Sequence, residues 1–361
     1  MHDTNHDKDI AECRQLLRGG SRSFYAASLV LPRGMRRSAT ALYAFCRLAD
    51  DAIDSGEDTA QELRLLSARL NRIYSSRPDD HPADRAFAAI VVEFGIPRSL
   101  PLALLDGFQW DSAGRRYESL EELCDYAARV AGSVGVMMTL LMLQREPQVL
   151  ARASDLGVAM QLTNIARDVG EDARAGRLYL PLRWLREAGI DPEQFLRAPA
   201  HSPALAGVVQ RLLAVAQALY DRSTLGIAHL PGRCRFGINA ARMLYCEIGN
   251  EVARRNFDPI TQRAVVPAAT KLRVLIGAAV ATFAVPQVLQ TAALPETQFL
   301  IDAVRASRAV PEPDVAADFA PPWWRVRARM LRLIDLFERL ERREQVRQLA
   351  AEEGRVTQWG S

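Results

Sequence analysis

Two short stretches carry carboxylates at a spacing that can do chemistry. In ALYAFCRLADDAIDSGED, residues 41–58, Arg47, Asp50, Asp51 and Asp54 fall at i, i+3, i+4 and i+7, positions that share one helical face. In GVAMQLTNIARDVGEDARAGRLYLP, residues 157–181, Gln161, Asn164, Asp168 and Asp172 recur at steps of three and four, with Arg167 beside them. Like charges four residues apart destabilise a helix by roughly a few tenths of a kcal/mol, and a bound cation reverses that sign. A carboxylate-plus-amide donor set without histidine or thiol suits Mg²⁺ or Mn²⁺. Mg²⁺ takes few protein ligands and leaves positions for water and phosphate. The two stripes, facing one another, therefore point to a diphosphate substrate bridged by metal. The plain alternative is two unrelated surface salt-bridge networks.

The elements that must position these residues read as helices. Ala39, Leu42, Tyr43 and Cys46 recur at steps of three and four, and Leu120–Leu143 and Leu150–Val169 follow the same pattern. Strand-like alternation is nearly absent. Proline and glycine punctuate the pattern at Pro32, Gly34, Pro78, Pro82, Gly95, Pro97, Pro192, Pro231, Gly232 and Pro286. The expectation is an all-α domain of roughly ten or more helices, packed helix on helix.

Composition bounds the function. The chain has 361 residues, 49% hydrophobic and 25% charged, with a net charge of +3. That balance gives no global field for nucleic acid. Cys13, Cys46, Cys124, Cys234 and Cys246 are scattered and odd in number, which fits reduced thiols. His2, His6, His81, His201 and His229 do not cluster as metal ligands. The acidic N-terminus lacks the apolar core of a signal peptide. The most apolar run, Val274–Val285, has the length of a buried helix, and Pro286 ends it.

Three parts are expected: a helical domain over 1–285, an irregular proline-rich connector over 286–322, and a C-terminal amphipathic arginine-rich helix and tail over 323–361. In that last part, Trp323, Val326, Met330, Leu333, Phe337 and Leu340 lie opposite Arg325, Arg329, Arg332, Arg339 and Arg343. Such a helix docks on the body or lies in a membrane interface.

DDAID (Asp50–Asp54) and QLTNIARDVGEDARAGRLYLP (Gln161–Pro181) resemble the two aspartate-rich regions of the squalene and phytoene synthase family. SRSFYAASLVLP (Ser21–Pro32), YAFCRLADDAID and VAGSVGVMM (Val130–Met138) match further family segments in the same order. The likeness runs from about residue 15 to about residue 275, and within the family it is greatest to the phytoene synthases of purple photosynthetic bacteria.

The resemblance implies the isoprenoid synthase fold, a single helical bundle around a large central cavity. It implies Mg²⁺-dependent head-to-head condensation of two geranylgeranyl diphosphates, through prephytoene diphosphate, to phytoene. Asp50, Asp54, Asp168 and Asp172, with Asn164, would hold Mg²⁺. Arg47, Gln161 and Arg167 match positions near metal and diphosphate, Ser21, Ser23 and Phe24 match a flap over the site, and Tyr245 and Arg263 match a later tyrosine and arginine near the diphosphate.

The sequence departs from the family at Ala128, where members often carry tyrosine; Tyr126 lies two residues earlier. No nicotinamide-binding glycine motif follows a strand, so no NADPH is expected. The implied setting is the cytoplasm, with peripheral contact to the inner membrane and to carotenoid-pathway enzymes left open. Sister activities on farnesyl diphosphate (squalene, dehydrosqualene or presqualene diphosphate synthesis) stay as the alternative. An inactive helical pathway scaffold is a third reading.

Overall fold

Most of the helices start where the sequence supplies a cap or a proline. Ser119 and Ser202 accept from the backbone N–H three residues on, and Pro82, Pro147, Pro192 and Pro203 occupy first-turn positions. A computed structural model describes residues 2–20, 31–55, 59–285 and 291–307. In chain order these form α1 (His2–Gly20), α2 (Arg33–Ser55), α3 (Thr59–Tyr74), α4 (Pro82–Phe94), α5 (Ser99–Ser112), α6 (Leu120–Ala127), α7 (Ser133–Leu141), α8 (Pro147–Arg174), α9 (Leu182–Glu187), α10 (Pro192–Arg197), α11 (Pro203–Ile227), α12 (Gly232–Arg254), α13 (Ala268–Ala281) and α14 (Gln298–Ala306). No strand occurs among the described residues.

Helix α8 is the axis of the bundle. Its apolar side, including Val158, Leu162, Ile165, Ala166 and Val169, is buried, and α11 packs along it more extensively than any other pair of elements. Thr163 and Tyr220 join the two helices by a buried hydroxyl hydrogen bond of 2.9 Å. By length and composition α11 is apolar enough to cross a membrane, yet Leu205, Val208, Val209, Leu212 and Leu219 lie in the protein core. On the other side, α2 packs against α1 and α4, where Phe45 and Phe87 stack with ring centroids 4.1 Å apart.

The segment Leu120–Leu143 is not one regular helix. Ala128–Gly132 form a π turn between α6 and α7, a local insertion that re-aims the helix. Its small residues bring backbone to backbone against α8. A Cβ on Gly135 would meet the Ala153 carbonyl oxygen at 2.5 Å, and one on Gly157 would meet the Gly132 Cα at 2.9 Å. Close packing thus accounts for these glycines.

Two expectations need correction. The run Val274–Val285 is not a buried helix: α13 ends at Ala281, and only Val274, Leu275 and Ala278 of it are buried. Within the stretch read as an irregular connector, Gln298–Ala306 is helical, with Leu300, Ile301 and Val304 buried. Residues 296–310 contain no proline, so the apolar periodicity there is free to fold. The buried Arg152 holds the approach to α14 by donating to the carbonyls of Thr291 (3.0 Å) and Ala292 (2.9 Å). Asp155 balances that charge at 2.9 Å. The C-terminal helix expected over 323–361 lies outside the described residues, whereas all five cysteines are within them as free thiols.

Candidate active site

On α2, Arg47 reaches one turn forward to two carboxylates, Asp50 at 2.9 Å and Asp51 at 2.5 Å. The core-facing residues Leu42, Phe45 and Ala49 fix which side these groups occupy. Asp54 continues the stripe along the backbone of α2; its side chain lies outside the described residues. So do Ser21, Ser23 and Phe24.

On α8, Gln161, Asn164, Arg167, Asp168 and Asp172 are the half-buried positions between fully buried neighbours. They form one stripe along the last three turns of the helix. Arg167 donates two hydrogen bonds to Asp168, at 2.7 and 2.5 Å. Arg263, from the loop after α12, donates two more to the same carboxylate at 2.8 and 3.1 Å. Burial works to raise the Asp168 pKa, but the two guanidiniums outweigh it and hold the carboxyl below its ordinary range. Tyr245 lies on α12 beside this pair; burial raises its pKa, with Arg167 pulling down and Asp168 pushing up.

Gly170 explains how the loop comes so close. A Cβ there would meet the Pro259 carbonyl oxygen at 2.7 Å and the Ile260 Cα at 2.9 Å. Arg174 then pins the loop by donating to the Ile260 carbonyl at 2.6 Å. The glycine two residues after Asp168 thereby admits the segment that delivers Arg263.

Asp172 has the opposite environment from Asp168. Burial first, then the Asp168 charge, push its pKa up to about 7, with Arg177 opposing. A partly buried carboxyl raised by a second carboxylate one turn away has the donor chemistry of a cation site. Among the described residues, no three carboxylate, histidine or thiol groups converge into a protein-only metal site. Helix α7 lies against both α2 and α8. On α8, α12 and the loop after α12 the structure joins Arg167, Asp168, Tyr245 and Arg263, with Asp172 one turn on, and on α2 it joins Arg47, Asp50 and Asp51.

Sequence reasoning passed over the group next to Asp172. Asp111, at the end of α5, accepts from the Tyr126 hydroxyl at 2.7 Å and the Tyr179 hydroxyl at 2.8 Å. Tyr126 and Tyr179 stack at 5.4 Å, and Tyr117 stacks on Tyr179 and lies tilted against Tyr126. Burial, then the Asp111 charge, raise the pKa values of both hydrogen-bonding tyrosines. The Asp111 charge also contributes to raising Asp172. Ala128, where the family often has tyrosine, is fully buried, so Tyr126 is the tyrosine this turn presents. A lone aspartate in FQWDSAGRRY carries no spacing signal, and only the fold brings it to α8.

The sequence profile of squalene/phytoene synthases matches residues 17–270. The chain belongs to the squalene/phytoene synthase family. The match takes in both aspartate stripes, Arg263 and Tyr245. Among relatives in the squalene/phytoene synthase family, a phytoene synthase of Cereibacter sphaeroides is 48% identical over 320 residues, covering 84% of this chain and 89% of that protein. A phytoene synthase of Rhodobacter capsulatus is 49% identical over 314 residues, covering 85% and 93%. A dehydrosqualene synthase crystal structure, solved with a ligand, superposes with a TM-score of 0.70 at 30% identity, covering 77% of this chain and 97% of that one. The bundle is therefore the isoprenoid synthase fold, all-α as the periodicity predicts and of the kind the family resemblance implies.

Proposed function

We propose that this protein is a phytoene synthase, a prenyltransferase that joins two geranylgeranyl diphosphates head to head through prephytoene diphosphate. The observation that carries the reading is Asp168, clasped by Arg167 and Arg263 with Asp172 one turn away, in a chain nearly half identical to phytoene synthases over most of its length. Geranylgeranyl diphosphate is preferred over the fifteen-carbon analogue because those relatives are phytoene synthases.

Arginine forks suit the oxygens of a diphosphate as well as they suit a carboxylate. Arg167 and Arg263 both pair with Asp168, which holds the two guanidiniums together where an allylic diphosphate docks. Arg47 does the same on α2 with Asp50 and Asp51. As diphosphate leaves, these groups receive the charge that develops on it. The apolar helices exclude water, which would otherwise capture the allylic cation as an alcohol.

The donor set fits Mg²⁺, with Mn²⁺ as a substitute: Asp50 and Asp54 from α2, and Asn164, Asp168 and Asp172 from α8, with substrate phosphate completing the ligands. Bound there, the metal supplies Lewis-acid neutralisation of the leaving diphosphate. No reductant is required for phytoene. The enzyme acts on the cytoplasmic side in carotenoid synthesis, in contact with the inner membrane that receives its product.

The same fold in a dehydrosqualene synthase makes farnesyl diphosphate the competing substrate. Product analysis with each prenyl diphosphate, with and without NADPH, separates the two. Turnover of geranylgeranyl diphosphate to a forty-carbon hydrocarbon, independent of NADPH, is expected. Exclusive turnover of farnesyl diphosphate overturns the reading.

A further inference from the structure

Arg263 is aimed at Asp168 by the backbone that carries it. Its side chain is 53% exposed, so packing around the guanidinium does little to orient it. The chain reaches it through an unusual turn: Asn256 and Phe257, just past α12, both have left-handed backbones, with φ of 54° and 53°. Two successive non-glycine residues stay in that region only when their surroundings over-determine them. Phe257 is held by its half-buried ring against the core and by its N–H, which donates to the Val252 carbonyl at 2.9 Å.

Asp258 then closes the next turn with one carboxylate. It accepts from the backbone N–H groups of Ile260 at 2.9 Å and Thr261 at 3.1 Å, and from the Thr261 hydroxyl at 2.6 Å. Burial works to raise the Asp258 pKa, but the Thr261 hydroxyl and these two N–H groups outweigh it and hold the carboxyl below its ordinary range. His201, from the segment before α11, lies 3.6 Å from the same carboxylate.

The turn so closed is the piece of chain that lies against α8. Its Pro259 carbonyl and Ile260 Cα are the atoms nearest Gly170, and its Ile260 carbonyl is the one that Arg174 holds. Arg263 follows directly on this turn. There Arg255, itself paired with Glu251 at 3.0 Å, donates to the Gln262 side chain at 3.3 Å and to the Arg263 carbonyl at 3.4 Å.

We propose that Asp258 is a positioning residue for diphosphate binding: by closing the turn that lies on Gly170, it sets where the Arg263 fork lands. The inference rests on the proposed function in taking Arg263 as a diphosphate ligand. A loop cap that serves stability alone acts whether or not Arg263 is present. A positioning residue has no effect on the ligand once Arg263 is gone.

The test is a double-mutant cycle read by calorimetry of inorganic diphosphate in Mg²⁺, with kcat and KM for geranylgeranyl diphosphate alongside. Arg263→Ala is expected to weaken diphosphate binding by about tenfold or more, and Asp258→Ala by a comparable factor. Binding in the double variant should be no weaker than in Arg263→Ala alone. In turnover, Asp258→Ala should raise KM more than it lowers kcat. Asp258→Asn, whose amide oxygen still accepts from both N–H groups, should stay within about twofold of the parent. Should the alanine variant fail to fold, Thr261→Val removes the hydroxyl donor alone, and its smaller loss should likewise vanish without Arg263.

Unchanged diphosphate binding in Asp258→Ala, losses that multiply in the double variant, or an asparagine variant as weak as the alanine one each overturn the proposal. A parent that takes up no diphosphate overturns it together with the role of Arg263. Turnover of farnesyl diphosphate alone, with the cycle intact, refutes the substrate reading and leaves the positioning in place.

Discussion

Arg263 and Asp168, ninety-five residues apart in sequence, are joined by two hydrogen bonds of 2.8 and 3.1 Å on one carboxylate. Arg167 occupies the same carboxylate, so two guanidiniums converge on one negative group. Arg263 also lies 3.6 Å from Glu171, and its fork suits a diphosphate as well as it suits a carboxylate. Replacing Arg263 by Lys keeps the charge but loses the fork. We expect kcat/KM to fall by about tenfold, mostly through KM, because a charge-assisted fork contributes about 1.5–3 kcal/mol when desolvated and less at an exposed arginine. Steady-state kinetics on the prenyl diphosphate check this; an unchanged KM contradicts it.

Gly170 governs whether that pair forms. In Gly170→Ala the new methyl meets the backbone of Pro259 and Ile260, which cannot rotate away as a side chain can. The loop must shift and carry Arg263 with it. A loss of about 1–3 kcal/mol in denaturant unfolding is expected from overpacking, together with a larger proportional loss of activity than Arg263→Lys shows. Full activity in the alanine variant would mean that the loop position is irrelevant.

The Asp111 cluster is testable by removing one hydroxyl at a time. Tyr126→Phe and Tyr179→Phe each delete one donor to a shared carboxylate, costing about 1–3 kcal/mol of stability where the acceptor is left unsatisfied. Asp111→Asn removes a charge that helps to raise Asp172. Its expected signature is a changed metal dependence of turnover with kcat altered more than substrate KM. If only thermal stability changes, the cluster is a packing feature.

Metal binding should be linked to a proton. The Asp172 pKa is raised from 3.8 to about 7 by burial and then by the Asp168 charge, so its charged form is disfavoured by the fold. A raised acid costs stability as pH climbs from 3.8 towards 7, and the cost is fully present above that. A cation at the site relieves it. Mg²⁺ should therefore raise the Tm more at about pH 8 than at about pH 6, and Asp172→Asn should remove the difference. Equal Mg²⁺ stabilisation at both pH values would contradict the linkage.

The part of the site carried by one helix was legible in the sequence. Asn164, Arg167, Asp168 and Asp172 share a stripe because helical spacing alone decides it, and Arg47 meets Asp50 for the same reason. The contacts that fold distant segments together had no such signal. Asp111 reaches its tyrosines across three elements, and Gly170 matters only because a loop almost ninety residues later lands on it. Arg263 was aligned by family likeness, and its bond to Asp168 came from the fold. Apolar content placed Val274–Val285 in the core, but content does not say where the helix ends or which of its sides is covered, and α13 stops at Ala281 with only Val274, Leu275 and Ala278 buried.

The most direct measurement is mass spectrometry of the hydrocarbon formed from geranylgeranyl diphosphate and Mg²⁺ by the full chain and by its Asp168→Asn variant. Both proteins should unfold cooperatively. The parent should release a forty-carbon hydrocarbon and the variant none. No such product from the parent, or equal yield from the variant, would contradict the assignment of the aspartate stripes as the site of head-to-head condensation.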